Sequence, residues 1–113
     1  MPKKYRLARA DFAHLSHGSP RRLHGSYFSL TIIALPHGGG PKMACVVSKK
    51  VTRRAVDRNR VQRRCREIIF PYIIRIKKPL ALVLYAKREA KAASFADTTK
   101  DITVLLARAG VLA

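Results

Sequence analysis

The sequence predicts a small α+β sandwich in which helices cover a sheet. Segments with the hydrophobic spacing of helices and segments with the composition of strands follow one another as helix, strand, strand, helix, strand, helix. The chain has 113 residues, 48% of them hydrophobic, and such a length suits one domain that buries roughly two thirds of its unfolded surface. No internal repeat or linker is visible, so we treat residues 1–113 as a single domain.

The first predicted element is a short helix over residues 5–17. Three apolar residues have the i, i+4, i+7 spacing of one helix face: Ala8, Phe12 and Leu15. Gly18 follows where such a helix would end.

Two strands are predicted next, at residues 26–35 and 43–48, after a basic connector at residues 21–22. We assign one face of the first strand to the core: Phe28, Leu30, Ile32 and Ala34. The other face begins with residues that are too polar to be buried and too uncharged to be ordinary surface: Tyr27, Ser29 and Thr31. The start of that face is therefore available for a ligand.

The second half of the chain predicts a helix, a strand and a last helix. Thr52 is a suitable N-cap for the first of these helices, which Pro71 should end near Phe70 or kink. Residues 80–86 are continuously apolar and predict a buried strand. Ser94 and Asp97 have the spacing of a capping box at the start of the last helix, which Gly110 closes: Ile102, Leu105, Leu106 and Ala109 form its apolar face.

The middle helix has two faces of very different chemistry. Residues 49–66 contain nine Lys or Arg and one acid, which leaves +8 of the net charge of +18. On a helical wheel the apolar residues occupy little more than one quadrant: Val61, Cys65, Ile68 and Ile69. The opposite arc is cationic: Asn59, Arg60, Arg63, Arg64 and Arg66.

A polyanion is the expected partner of that cationic face. Solvated helix faces usually intersperse acids with bases, and here the acids are nearly missing. Arginine, the preferred base in the helix, can grip a phosphate with two hydrogen bonds. The pI near 11.2 and the six acids in the whole chain favour nucleic acid. No segment is long and apolar enough for a membrane, and no secretory signal opens the chain, so we expect a cytoplasmic protein.

The residues offer little for catalysis or metal binding by the protein itself. Of the six acids only Asp97 and Asp101 share a helix face, where they are more simply partners of the helix dipole. Cys45 and Cys65 lack the spacing of a zinc site and are expected in the core, and the four histidines are scattered. The polypeptide is therefore interpreted as a binder.

RNA is favoured over DNA as the nucleic acid. No helix-turn-helix or zinc finger is recognisable, although Asn59 between two arginines could imitate a recognition helix. Basic helices combined with open strand faces and aromatics suit unpaired bases. Phe12 and Tyr27 fit this pattern, and each could equally belong to the core.

At this point the sequence resembles a known family, the bacterial ribonuclease P protein subunit. Its Arg-Asn-Arg signature is matched by Ser48-Lys-Lys-Val, by Arg58-Asn59-Arg60 and by Arg63-Arg64-Cys-Arg66-Glu67. Further matches follow in the expected order around this motif: Arg6-Leu7 with Asp11-Phe12, Tyr27-Phe28-Ser-Leu30, and Leu80 to Arg88. The resemblance covers most of the chain.

The resemblance implies a protein that partners a catalytic RNA, which removes the 5′ leader of precursor tRNA with Mg²⁺ held mainly by the RNA. The protein would contribute no catalytic residue and no metal ligand. The residues implied for the ribozyme RNA are Lys50, Arg58, Asn59, Arg60, Arg63, Arg64 and Arg66. The residues implied for the leader are Phe12, Tyr27, Ser48, Lys49, Lys87 and Arg88. Neither a membrane nor DNA is implied as a partner.

The family fold implies a fourth strand beyond the three that the pattern predicts. It is ribosomal-protein-like, with a mainly antiparallel four-stranded sheet and a left-handed βαβ crossover, an exception to the usual hand. The alternative interpretation is a structural RNA-binding protein of the ribosomal type. The sequence departs from the family pattern at Thr31, where an aromatic is frequent, at Gln62, where Lys or Arg is frequent, and at Pro79, where an acid is usual.

Overall fold

A four-stranded sheet with helices packed on one face forms the fold. The computed structural model describes residues 1–7, 20–35 and 40–111. The strands are β1 (Arg21–His24), β2 (Phe28–Ala34), β3 (Lys42–Val46) and β4 (Leu80–Ala86). The described α-helices are α1 (Ala55–Ile73) and α2 (Phe95–Ala109), and short 3₁₀ turns occur at Lys3–Tyr5 and Arg88–Lys91.

The strand order in the sheet is β1-β2-β4-β3. β2 is antiparallel to both β1 and β4, whereas β3 and β4 are parallel. Parallel neighbours need a crossover connection, and here it contains α1. The expected α+β fold with a mainly antiparallel four-stranded sheet is thus confirmed, and the hand of the crossover stays a prediction.

The N-terminal segment differs from the predicted helix where the two can be compared. Residues 3–5 form a 3₁₀ turn, and Arg6 forms an isolated parallel bridge with Met43 of β3. The Leu7 N–H donates to the Met43 carbonyl at 2.9 Å. The predicted helix over 5–17 therefore does not begin at residue 5, and its remainder, including Phe12, lies outside the described residues.

Strand β1 replaces the basic connector that the pattern predicts at residues 21–22. It pairs with β2 along its whole length, for example Arg22 with Thr31 and His24 with Ser29. The strand is short, basic and mostly exposed, which are common features of edge strands. It therefore carries no hydrophobic alternation by which the sequence could reveal it.

Helix α1 starts later and ends later than predicted. Its N-cap is Arg54, so Thr52 is not the cap. The Thr52 hydroxyl instead accepts from the Arg54 N–H and donates to Asp57 Oδ2, both at 3.4 Å. Pro71 lies inside the last turn and the helix continues to Ile73, whose side chain is fully buried. A proline so near the end removes little of the hydrogen-bond ladder, and the buried Ile73 holds the last turn in place.

The apolar stripes of both helices are buried, as predicted, and they pack on the same face of the sheet. Helix α1 buries Val61, Cys65, Ile68, Ile69 and Ile73, and α2 buries Ile102, Leu105, Leu106 and Ala109. They meet the inward residues of the strands, which include Phe28, Leu30, Met43, Leu82 and Leu84. Two assignments for β2 are wrong, since Ala34 at the strand end is exposed and Thr31 is buried.

Both ends of α2 have the predicted caps. Ser94 is the N-cap and its hydroxyl accepts from the Asp97 N–H at 3.0 Å. Gly110 closes the helix at φ 73°, in the left-handed region that favours glycine.

Candidate nucleic-acid interface

The cationic face of α1 points away from the core because Val61 and Cys65 anchor the opposite side. Asn59 and Arg63 are exposed. The Arg60 side chain retains 43% of its accessible surface. Arg64 and Arg66 are half-buried at the two borders of the face, and Lys50 is exposed in the turn before the helix.

Several arginines at the start of α1 are held by the protein itself. Arg58 Nη1 donates to the carbonyls of Thr52 at 3.1 Å and Arg53 at 2.8 Å. The carboxylate of Asp57 lies 3.9 Å from Arg54 and 3.8 Å from Arg60. These contacts fix the loop that precedes the helix. Arg58 therefore has a structural task in addition to any contact with a ligand.

The next arginines along α1 make fewer hydrogen bonds and ion pairs. Arg64 Nη1 donates to the Ala93 carbonyl at 3.4 Å. Within the described part of the chain, Arg63, Arg66 and Asn59 make no side-chain hydrogen bond and no ion pair. These groups keep their full capacity to bind an external acceptor. An unpaired cationic face is costly for an isolated protein, and a polyanion would relieve that cost.

Four of the residues implied for the leader lie at one end of the sheet: Ser48, Lys49, Lys87 and Arg88. Val46 of β3 pairs with Tyr85 of β4. Because the two strands are parallel, Ser48 and Lys87, each two residues further on, leave the sheet at the same end. Lys49 and Arg88 follow them and are exposed.

Lys87 and Tyr27 are positioned by contacts at this end of the sheet. Lys87 Nζ donates to the Gly25 carbonyl at 2.6 Å, and its backbone N–H donates to the Tyr27 carbonyl at 2.9 Å. Tyr27 is half-buried and lines a cavity of about 360 Å³ together with Asp97, Lys100 and other residues of α2. The ammonium group of Lys87 is therefore partly used in holding the turn before β2.

Tyr85 is a candidate that the sequence analysis missed. Residues 80–86 predict a wholly buried strand, yet Tyr85 retains 42% of its accessible surface. It lies on the sheet face opposite the α1 and α2 core, in one row with His24, Ser29 and Val46. His24 Nδ1 lies 3.0 Å from Ser29 Oγ. A tyrosine at the end of an otherwise aliphatic strand was the available signal.

Asp101 is a second residue whose role the sequence analysis did not find. It is buried, and its carboxylate accepts from the backbone N–H groups of Ser26 at 2.8 Å and of Tyr27 and Phe28 at 2.9 Å. A β-carbon on Gly25 would lie 2.6 Å from Asp101 Oδ1. The predicted role as a dipole partner is wrong, because Asp101 lies beyond the first turn of α2 and binds the β1–β2 turn.

The two cysteines lie in and beside the core, as predicted. Cys65 is buried and Cys45 is half-buried, and both are free. A hydrogen bond with the Cys45 thiol, together with burial, raises the pKa of the Cys65 thiol. Among residues 1–7, 20–35 and 40–111, no group of three His, Cys, Asp or Glu is arranged to hold a metal ion. None of the helices in these ranges has the length and apolar character needed to cross a membrane.

Comparison with known proteins decides the family. The family model described as ribonuclease P matches residues 1–110. The chain belongs to the ribonuclease P protein family. A ribonuclease P protein component from Pseudanabaena sp. is 33% identical over 113 residues, which is 99% of this chain and 97% of that protein.

Solved ribonuclease P proteins share the fold. The Staphylococcus aureus protein superimposes with a TM-score of 0.82 at 22% identity, covering 96% of this chain and 98% of the other. The Thermotoga maritima protein gives a TM-score of 0.75 at 23% identity, covering 91% and 96%. The expected membership of the ribonuclease P family is thus confirmed.

Proposed function

We propose that the chain is the protein cofactor of a ribonuclease P ribozyme in the cytoplasm. It would bind the catalytic RNA and the 5′ leader of precursor tRNA and so promote endonucleolytic removal of the leader. The observation that carries the proposal is the outward face of α1, where Asn59, Arg63 and Arg66 have no partner among the described residues, in a chain of this family.

The RNA subunit is the proposed partner of α1 and of the turn before it. Arg63 and Arg66 would bind phosphates directly, because nothing within the described chain competes for them. Arg60 lies 3.8 Å from the Asp57 carboxylate, and a phosphate could readily displace such a long ion pair. The remaining residues proposed for this surface are Lys50, Arg58, Asn59 and Arg64, of which Arg58 also holds the preceding loop.

The leader is proposed to lie at the charged end of the opposite sheet face, because the middle of that face is buried at Thr31, Ile33 and Val83. Ser48, Lys49, Lys87 and Arg88 supply hydrogen-bond donors where β3 and β4 end. Tyr85 supplies an exposed ring at the end of that face, in keeping with base stacking. Tyr27 is retained from the family resemblance as a border of this surface, and Phe12, which the resemblance also implies, lies outside the described residues.

Hydrolysis is assigned to the RNA subunit with its Mg²⁺. The cationic surfaces would reduce the repulsion between two RNAs. The protein should therefore lower the Mg²⁺ concentration at which they associate productively.

Reconstitution with the RNA subunit tests the proposal. Precursor tRNA is incubated with the RNA subunit at low Mg²⁺, with and without the full chain, and release of the leader is followed. We expect faster cleavage with the protein. An unchanged rate at every Mg²⁺ concentration would refute the proposal, and co-purification with ribosomal subunits instead would favour a ribosomal-type role.

A further inference from the structure

A groove between the N-terminal segment and α1 has a chemistry unlike the rest of the cationic face. Its volume is about 460 Å³ and its lining residues are Met1, Arg6, Arg63, Arg66, Glu67 and Phe70. This volume lies within the range of about 300–1,000 Å³ that is usual for small-ligand sites. The groove is large enough for one aromatic ring and its substituents.

Both walls of the groove are fixed by contacts that need no ligand. Arg6 is held beside the sheet by its bridge with Met43. Phe70 meets the Tyr5 ring edge to face, with centroids 6.1 Å apart and an interplanar angle of 68°. The shape of the groove therefore exists before a ligand arrives, which lowers the entropic cost of binding.

The polar groups of the groove are unused. Within the described part of the chain, the guanidinium groups of Arg6, Arg63 and Arg66 make no hydrogen bond or ion pair. The carboxylate of Glu67 forms no ion pair there either, although three guanidinium groups line the same groove. A carboxylate weakens any site that is meant for phosphate alone. Its presence indicates a ligand that brings hydrogen-bond donors together with negative charge.

We propose that this groove binds one unpaired purine nucleotide of the RNA partner, with guanine preferred. The base would pack on Phe70, the adjacent phosphates would bind Arg6, Arg63 and Arg66, and Glu67 would accept hydrogen bonds from the edge of the base. Guanine presents two neighbouring donors, N1–H and the 2-amino group, which match the two oxygens of a carboxylate. Uracil presents a single N–H between two carbonyl groups and would leave one oxygen of Glu67 facing a carbonyl.

The inference rests on the proposed function, since it names a nucleotide within the RNA surface of α1. Its first test uses mononucleotides as probes on the full chain. Backbone N–H resonances are followed by NMR during titration with GMP or UMP. We expect shifts at Arg6, Glu67 and Phe70, and a preference for GMP of about tenfold or more, the scale of one hydrogen bond to a charged group.

Two substitutions separate the contributions of Glu67 and Phe70 to nucleotide binding. Glu67→Gln alters an exposed side chain and should abolish the preference for GMP while UMP binds as before or better. Phe70→Leu should weaken both nucleotides. Arg75→Ala, which changes an exposed arginine outside the groove, is the matched control. Equal affinity for GMP and UMP in the wild type, or stronger competition by a poly-glutamate peptide than by GMP, would overturn the assignment.

Binding of the RNA subunit provides the second test. Phe70→Leu should lower affinity about tenfold without altering the salt dependence, because a stacked base releases no counterion. Arg63→Ala should lower both the affinity and its salt dependence. If the wild type fails to bind the RNA subunit, the proposed function fails. If the wild type binds and neither Phe70→Leu nor Glu67→Gln changes affinity, the groove assignment fails alone.

Discussion

The carboxylate of Asp101 accepts a hydrogen bond from the backbone N–H of Phe28 at 2.9 Å, across 73 residues of the chain. The same carboxylate binds the N–H groups of Ser26 and Tyr27. Helix α2 is thereby joined to the turn between β1 and β2. Arg108 adds a bond from the end of α2 to the His24 carbonyl at 3.0 Å. These contacts position the end of the sheet that we propose for the leader.

Asp101→Asn should destabilise the fold by about 2–4 kcal/mol. The amide carries no negative charge, and its NH₂ group would face backbone N–H groups that need an acceptor. Urea unfolding measures the change in the free energy of unfolding. Asp97→Asn is the matched control, because Asp97 lies exposed in the first turn of the same helix. Its replacement should lower the free energy of unfolding by less than about 1 kcal/mol. Equal losses in the two variants would contradict the role given to Asp101.

Gly25→Ala should destabilise the protein by about 1–3 kcal/mol, because the new methyl group would lie 2.6 Å from Asp101 Oδ1 and displace the carboxylate. Gly40→Ala is the control, since no atom of the described residues lies within 4 Å of a β-carbon there. Reducing the entropy of the unfolded chain should leave that variant neutral or more stable by up to about 1 kcal/mol. Thermal unfolding of the two variants checks the difference, which should vanish if the Asp101 contact is unimportant.

Arg63→Ala should flatten the salt dependence of RNA-subunit binding by roughly 0.7 to 0.9 in the slope of log K against log salt, because one phosphate contact is lost. Its stability should not change, since the side chain has no partner in the described chain. Arg58→Ala should behave differently and lose about 1 kcal/mol of stability, because two carbonyls lose their donor. An unchanged slope for Arg63→Ala would remove this part of α1 from the interface.

Tyr85→Leu should weaken binding of leader-bearing precursor by about 1–3 kcal/mol, the usual value of one stacked base, and leave mature tRNA unaffected. Binding is measured with the holoenzyme at a fixed salt concentration. Phe95→Leu replaces another exposed aromatic, on α2, and serves as the control. A loss of the same size for both RNAs would argue that Tyr85 does not touch the leader.

The free energy of unfolding should depend on pH through Cys65. The folded protein keeps a thiol proton because the bond to Cys45 and burial raise the pKa of Cys65, whereas the unfolded chain releases it near pH 8.5. The stability that this group provides is complete below that pH and is lost above it, by up to about 1.4 kcal/mol per pH unit.

Cys65→Ala lacks this proton, so the stability difference between the wild type and the variant should shrink between about pH 8 and pH 10. Urea unfolding with a reductant present follows the difference. A constant difference over this range would mean that the Cys65 thiol titrates as in the unfolded chain.

The local parts of the fold followed from the sequence. The apolar stripe of α1 is specified by residues three and four apart, so its buried face, including Val61 and Cys65, could be predicted. The caps Ser94 and Gly110 act on neighbouring residues and were predicted for the same reason. The apolar and the cationic side chains of α1 were therefore assigned correctly to core and surface.

The missed features all depend on contacts between distant segments. Strand β1 exists because β2 offers it an edge, and its own residues give no alternation. The partners of Asp101 lie more than 70 residues away, so no local pattern announces them. Thr31 lies on the same sheet face as Ile33 and Val83, and all three are buried despite the polarity of the threonine. Which arginines of α1 are free is likewise a tertiary property.

The parallel pairing of β3 with β4 has a consequence for protein synthesis. Strand β3 lies at the sheet edge and has β4 as its neighbour, while α1 lies between them in the chain. A growing chain on the ribosome can form α1 but cannot fix it until β4 has emerged. The arginines that we propose for the RNA subunit should thus reach their final arrangement only late in translation.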